Sequence, residues 1–250
     1  MKFLLSSLII GFSTIAGATD FSEAEIQMYT IKEISINTVE EDPLGLELRE
    51  KVYQKQLSQY QRRETVYQQD PIPTPDPIEQ AGKIIGVAKD LVALGEDVYN
   101  LVIKGKPSVE TNYAPISVVP KVNGQPIDPL DMDTFDMPES RSYEVSYKNG
   151  FSMTVVKFKY QVIYTPGGSY DGKGKYLTAV QIIPQEAWSL FGYDFKATMK
   201  LGGVANHGTR ENPIAGATLL IQHDISTVVK ATTETNAFQV RGDGKLKKIN

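Results

Sequence analysis

Two histidines, His207 and His223, and no cysteine bound the chemistry open to this 250-residue chain. Without cysteine there is no thiolate nucleophile, zinc-thiolate site or iron-sulfur cluster. Two histidines cannot build a three-histidine zinc site. A serine triad needs a histidine beside an activated serine, and the strained G-x-S-x-G elbow does not occur. His223 shares a strand side with Leu219 and Ile221, which suits a core or interface histidine. His207 lies in "GVANHGTRENP", a turn-rich loop.

The acids offer one further candidate. "IDPLDMDTFDMPES" places Asp128, Asp131, Asp133 and Asp136 close together in sequence, with Glu139 beyond. Hard cations such as calcium take several carboxylate oxygens from one flexible loop. The fixed glycine and terminal glutamate of a calcium loop are missing, so a solvated acidic connection competes with a weak calcium site. A pair of carboxylates for glycoside chemistry cannot be located by spacing among 30 acids. No residue is assigned a catalytic role, nothing calls for a cofactor, and the chain is expected not to be an enzyme.

Two loops could bind without reacting. "TPGGSYDGKGKY" is glycine-rich, but it joins two strands and lacks the phosphate-loop spacing. Tyr170, Asp171 and Lys173 are its ligand or partner candidates, since loop tips often carry function. "RGD" at Arg241 to Asp243 reads as a chance triplet in the turn "RGDGK". The net charge of -4 and a pI near 5.4 give no basic stripe, and no nucleic-acid partner is expected.

The elements that must position these residues follow from patterning. "MKFLLSSLIIGFSTIAGATD" has Lys2, an apolar run from Phe3 to Ile15, and Ala16-Gly17-Ala18. That is a signal-peptide pattern over residues 1–18, with cleavage after Ala18 and export to periplasm, cell surface or medium. Residues 19–70 form an N-terminal region. "EIQMYTIKEISIN" alternates as a strand would. Asp42 and Pro43 can open a helix whose apolar stripe is thin: Leu44, Leu48, Val52, Leu57, Tyr60 and Tyr67. "DPIPTPDP" gives a stiff linker over 71–77.

"IEQAGKIIGVAKDLVALGEDVYNLVIKGKP" is patterned most sharply. Asp76, Pro77 and Glu79 suit a helix start, and Lys104, Gly105 and Pro107 a helix end. Apolar residues recur at three-four spacing, with Ile84, Val87, Leu91, Leu94, Val98 and Leu101 forming one row. The spacing predicts a long amphipathic helix over 78–105, with that row as an interface. Its mixed charges disfavour lipid, leaving the chain's own core, the first helix or another subunit as its cover.

From 108 to 250 the period is two. In "VVKFKYQVIYT", Val156, Phe158, Tyr160, Val162 and Tyr164 share one face; "FKATMKL", "ATLLIQHDIS", "KYLTAVQIIP", "SYEVSYKN" and "NAFQV" read as further strands. Seven or eight antiparallel strands predict a C-terminal β-sandwich, immunoglobulin-like or similar, within an α+β chain. "YKNGFSMTVVKFKYQVIYTPGGSYDGKGKYL", "GTRENPIAG" and "FQVRGDG" resemble an uncharacterised family of secreted proteins from Gram-negative bacteria. That resemblance implies an envelope or secreted setting and no activity. The expected role is protein–protein association, with another envelope component or with itself as an oligomer. A membrane-active factor using helix 78–104 and a hydrolase on the β scaffold are the alternatives.

Overall fold

A computed structural model describes residues 21–69, 83–88, 90–103, 106–107 and 114–249. The signal segment 1–18 and the linker 71–77 lie outside the described residues. The chain is mostly β. Helix α1 (Glu23–Tyr29) leads into strand β1 (Ile31–Val39) and helix α2 (Pro43–Gln69). Strands β2 (Lys83–Ala88), β3 (Leu91–Gly95), β4 (Val98–Ile103), β5 (Lys106–Pro107), β6 (Ile116–Val122) and β7 (Gln125–Pro126) follow. A short 3-10 turn at Pro129–Asp131 precedes β8 (Glu139–Asn149), β9 (Thr154–Tyr170), β10 (Lys173–Ser189), β11 (Asp194–Asn206), β12 (Ala215–Ser226), β13 (Ala231–Arg241) and β14 (Leu246–Lys248).

The named strand pairs are all antiparallel and form two sheets. Sheet one runs β1-β8-β9-β10-β6-β3-β2, with β7 beside β6, and sheet two runs β14-β13-β12-β11-β4-β5. Two meanders carry most of the mass: β8-β9-β10 in sheet one and β11 to β14 in sheet two. Non-consecutive neighbours extend both meanders, with β1 beside β8, β6 beside β10 and β4 beside β11, and no immunoglobulin-like fold is shown. The sheets face each other through aromatic contacts, such as Tyr143 of sheet one against Phe238 of sheet two at 4.6 Å between ring centres.

The period-two reading of the C-terminal half holds. Val156, Phe158, Tyr160, Val162 and Tyr164 are buried together in the core, with Phe195, Ala197 and Met199 of β11 and Leu219, Ile221 and Ile225 of β12. Glycines also fall inside strands: Gly167 has a positive φ within β9, and Gly202-Gly203 accompany a register shift in β11.

The long helix over 78–105 is a correction: the described part of this stretch is three strands. Apolar runs of four to six residues are broken by Lys89-Asp90 and Glu96-Asp97, and a continuous run fits a period of 3.6 as easily as 2. Ile84, Ile85, Val87, Val92, Val98, Val102 and Ile103 are β-branched, and their stiff χ1 favours the pleated backbone. β2 and β3 pair across a two-residue connection, Ala88 opposite Leu91. β3 is buried along its whole length, a demand met by a strand in mid-sheet but not by a half-polar helix. The expected interface row is divided accordingly. Leu91, Leu94 and Leu101 are buried, whereas Ile84, Val87 and Val98 are exposed.

The N-terminal region differs in detail. Ser22 and Glu25 form a capping box, with the Glu25 N–H donating to Ser22 Oγ and the Ser22 N–H donating to Glu25 Oε2. So "EAEIQMY" is helical and the strand begins only at Ile31. α2 lies on the outer face of sheet one, where Leu48 and Val52 meet Ile163, Ala179 and Ile183. Its start is fixed by Asp42, which accepts the Gly45 N–H at 2.9 Å and pairs with Lys159. That ammonium and the Gly45 N–H hold the Asp42 carboxyl below its ordinary range.

Val52→Asp removes roughly 2 kcal/mol of apolar burial. The expected outcome is release of α2, read as proteolysis at Arg49, Lys51 and Lys55 and loss of helical circular dichroism, with the β signal retained.

Candidate functional site

The structure separates the residues singled out by spacing. The four aspartates do not converge. Asp128 is buried and accepts the Leu130 N–H at 2.8 Å, capping the 3-10 turn. Asp133 accepts from the Gly172 N–H at 2.9 Å and from Ser169 Oγ at 3.3 Å. Asp136 sits against Gly167. Asp131 is exposed. Among the described residues no group of three or more His, Asp or Glu side chains could hold a metal ion. Asp133 and Asp136 hold the segment before β8 against the end of β9, while Asp128 shapes its own turn.

Tyr170, Asp171 and Lys173 surround the β9–β10 hairpin turn. Asp171 at φ 51 and Gly172 at φ 66 have the paired left-handed residues of a tight type I′ turn. The connection within "TPGGSYDGKGKY" is thus two residues wide, with little concave surface. Arg241 is closed onto Asp243 by bonds of 3.0 and 2.7 Å, so the triplet grips itself within its turn. His207 packs by Gly216 and lies 3.0 Å from Gln239 Nε2.

His223 is fully buried among Tyr147, Phe158, Tyr160 and Phe195. Its Nδ1 is 2.7 Å from the Tyr147 hydroxyl, and its Nε2 has no partner. Burial, opposed only weakly by the charge of Asp224, pulls it from 6.5 to about 3, so it is neutral in the folded chain. It is a core histidine, as its strand side implied.

What spacing did not reveal is an apolar end. Antiparallel strands bring the β8–β9, β10–β11 and β12–β13 connections to one end of both sheets, beside α1. Phe191 is 99% exposed there, Val228 65%, Phe151 54%, Ile26 45%, Met153 40% and Leu190 36%. The positions come from sequence-distant turns, so no periodicity joins them.

Local bonding builds this surface. The Tyr193 N–H donates to Leu190 O at 3.1 Å, closing a four-residue turn with Gly192 third at φ 88. That geometry needs a positive φ at the third residue and lifts Phe191 to the apex. A Cβ on Gly192 would lie 2.7 Å from the Tyr29 ring. In the β8–β9 turn the buried Asn149 caps from inside: its Oδ1 accepts the N–H groups of Phe151 and Met153 at 3.0 and 3.1 Å. In the β12–β13 turn Thr227 Oγ1 accepts from Val229 and Lys230. All three turns also grip the end of α1. Gly150 N–H donates to Gln27 O, Tyr193 OH to Met28 O, and Thr227 OH reaches Tyr29 O. The Tyr29 and Tyr193 rings meet at a tilt, with centroids 5.9 Å apart.

A shallow cavity of about 500 Å³ opens between the second and third turns, lined by Leu190, Phe191, Tyr193, Asp194, Thr227 and Val228. A second, of about 490 Å³, lies near Asp90, Asn206 and Arg210. Each has one carboxylate on its lining. No described helix is long and apolar enough to cross a membrane. No protein-family model, curated protein or solved structure matches the chain.

Two predictions follow from this bonding. Gly192→Ala forces a side chain into a left-handed position against Tyr29 and is expected to cost about 1–3 kcal/mol, whereas Phe191→Ser should change stability by about 0.5 kcal/mol or less; urea unfolding measures both. The second concerns His223. The unfolded chain takes up a proton near pH 6.5 and the folded site only near 3, so the unfolded state binds the extra proton and stability falls as pH drops through that window. The contribution is roughly 2 kcal/mol between pH 6.5 and 5. Tyr147→Phe/His223→Phe should abolish that part of the pH dependence. His223→Phe alone should cost about 1–3 kcal/mol at pH 7 by stranding the Tyr147 hydroxyl.

Proposed function

We propose that this is an exported, non-catalytic association module, built as a β-sandwich, whose working surface is the apolar end around Phe191. The observation that carries the proposal is the gathering there of Ile26, Phe151, Met153, Leu190, Phe191 and Val228, all exposed. Exposed apolar side chains are unremarkable singly and meaningful when contiguous. The turns that display them are closed by their own hydrogen bonds, so the surface is formed before any partner arrives, which lowers the ordering cost of association.

The signal-peptide pattern supports export. A chain without cysteine that relies on its core alone fits a bacterial envelope setting, in line with the resemblance of its C-terminal half. The sequence pattern points to association through the row Ile84, Val87, Leu91, Leu94, Val98 and Leu101. With Leu91, Leu94 and Leu101 in the core, that row is not one surface, and the membrane-active alternative loses the helix on which it depended. A hydrolase gains no specific support from the two cavities.

The test is carbene footprinting of the protein in envelope fragments and in purified form. Phe151, Phe191 and Val228 should be protected in the envelope by several-fold relative to Tyr170 and Lys173. Equal labelling at both ends would contradict the proposal.

A further inference from the structure

The occupant of the apolar end is a separate question, resting on the assignment of that end as the contact surface. We infer that it seats shallowly in the surface of a lipid bilayer, without need of anionic headgroups.

Shape comes first. The apolar side chains stand on convex turn tips, with Phe191 projecting freely from the apex of its turn. A protein partner anchors best where side chains enter pockets, and the cavity beside Phe191 is shallow and open. A bilayer surface needs no complementary pocket.

Backbone satisfaction is the second observation. Lipid offers no hydrogen bonds, so polar backbone groups entering it must be paired within the protein. At this end the N–H groups of Gly150, Phe151, Ser152 and Met153 are all accepted internally. So are those of Leu190, Tyr193, Thr227, Val229 and Lys230, whereas the apex N–H groups of Phe191, Gly192 and Val228 have no acceptor among the described residues, which limits the seating to headgroup depth. Two of the acceptors are side chains, Asn149 and Thr227, placed under the tips. An added β-strand would find few free groups here.

Charge decides which lipid. The exposed acids Glu23, Glu25 and Asp194 of α1 and β11 are matched by the exposed Lys32, Lys196 and Lys230 of β1, β11 and the β12–β13 turn. Lys148 and Lys157 are tied to Glu33 and Glu144. Among the described residues the charges at this end therefore balance, without the net cationic collar that draws proteins to anionic membranes.

The experiment is flotation of residues 19–250 with phosphatidylcholine vesicles, and with vesicles containing phosphatidylglycerol, at low and high salt. The chain is taken from Thr19 so that the run 3–15 contributes nothing. Equal binding to both vesicle types with little salt dependence is expected. Phe191→Ser should weaken partition about tenfold, and Phe151→Ser/Phe191→Ser/Val228→Ser should abolish it with an unchanged circular dichroism spectrum. Ile84→Ser/Val98→Ser, which removes exposed apolar groups away from this end, should bind as the parent does. Failure of the parent to float, binding lost at high salt, or binding kept by the triple variant would overturn the inference. If the parent does not float yet Phe191 is protected in envelope fragments, the end contacts protein and only the lipid inference falls. If Phe191 is unprotected there, the assignment of the surface falls too.

Discussion

The seam between the two sheets is filled because long antiparallel strands send every second side chain out of water into one layer. Phe158, Tyr160 and Val162 of β9 meet Phe195, Leu219, Ile221 and Phe238 from the opposite sheet, all fully or almost fully buried. The other features depend on that alternation. A one-residue slip in any of these strands would turn its apolar set to water, so register is fixed. Once register is fixed, so is the position of every connection. Meanders place their turns at two ends only. One end collects Asp133, Asp171, Lys173 and Arg210; the other collects Phe151, Leu190, Phe191 and Val228. The contrast between the ends follows from a core that requires consecutive strands to return side by side.

The seam also contains polar groups that limit how the sheets can sit. Tyr99 reaches across it from β4, where its hydroxyl accepts the Ile182 N–H of β10 at 3.1 Å. His223 and Tyr147 pair between the sheets at 2.7 Å. Such pairs add little net stability over apolar packing, but a misaligned arrangement would strand them in a dry interior at the cost of an unmade hydrogen bond. We regard them as register marks between sheets that are otherwise greasy surfaces.

Legibility in the sequence tracked how local each determinant was. The strands of the C-terminal half were legible because alternation is a local property. "FKATMKL" and "ATLLIQHDIS" fall within β11 and β12. α2 was legible from Asp42 and Pro43. The alternation of "EIQMYTIKEISIN" suggests a strand from Glu25, but the capping box of Ser22 and Glu25 starts a helix there and the strand waits until Ile31. Residues 83–103 carry no clear strand signal because β3 is buried on both faces by neighbours from β6 and sheet two, and that burial produces an unbroken apolar run. The candidate surface was hidden for a different reason. Phe151, Phe191 and Val228 are far apart in the chain and meet only after both sheets form.

The account places function in turns held by the fold and not in a reactive cleft. Asn149, Gly192 and Thr227 shape the turns, and α1 clamps all three from beside the sheets. The absence of native cysteine allows a direct measurement. A polarity-sensitive dye is attached at Phe191→Cys, and separately at Lys173→Cys at the opposite end, and envelope fragments are titrated in. The account expects a blue shift at position 191 and none at 173. A shift at 173 without one at 191 would contradict it.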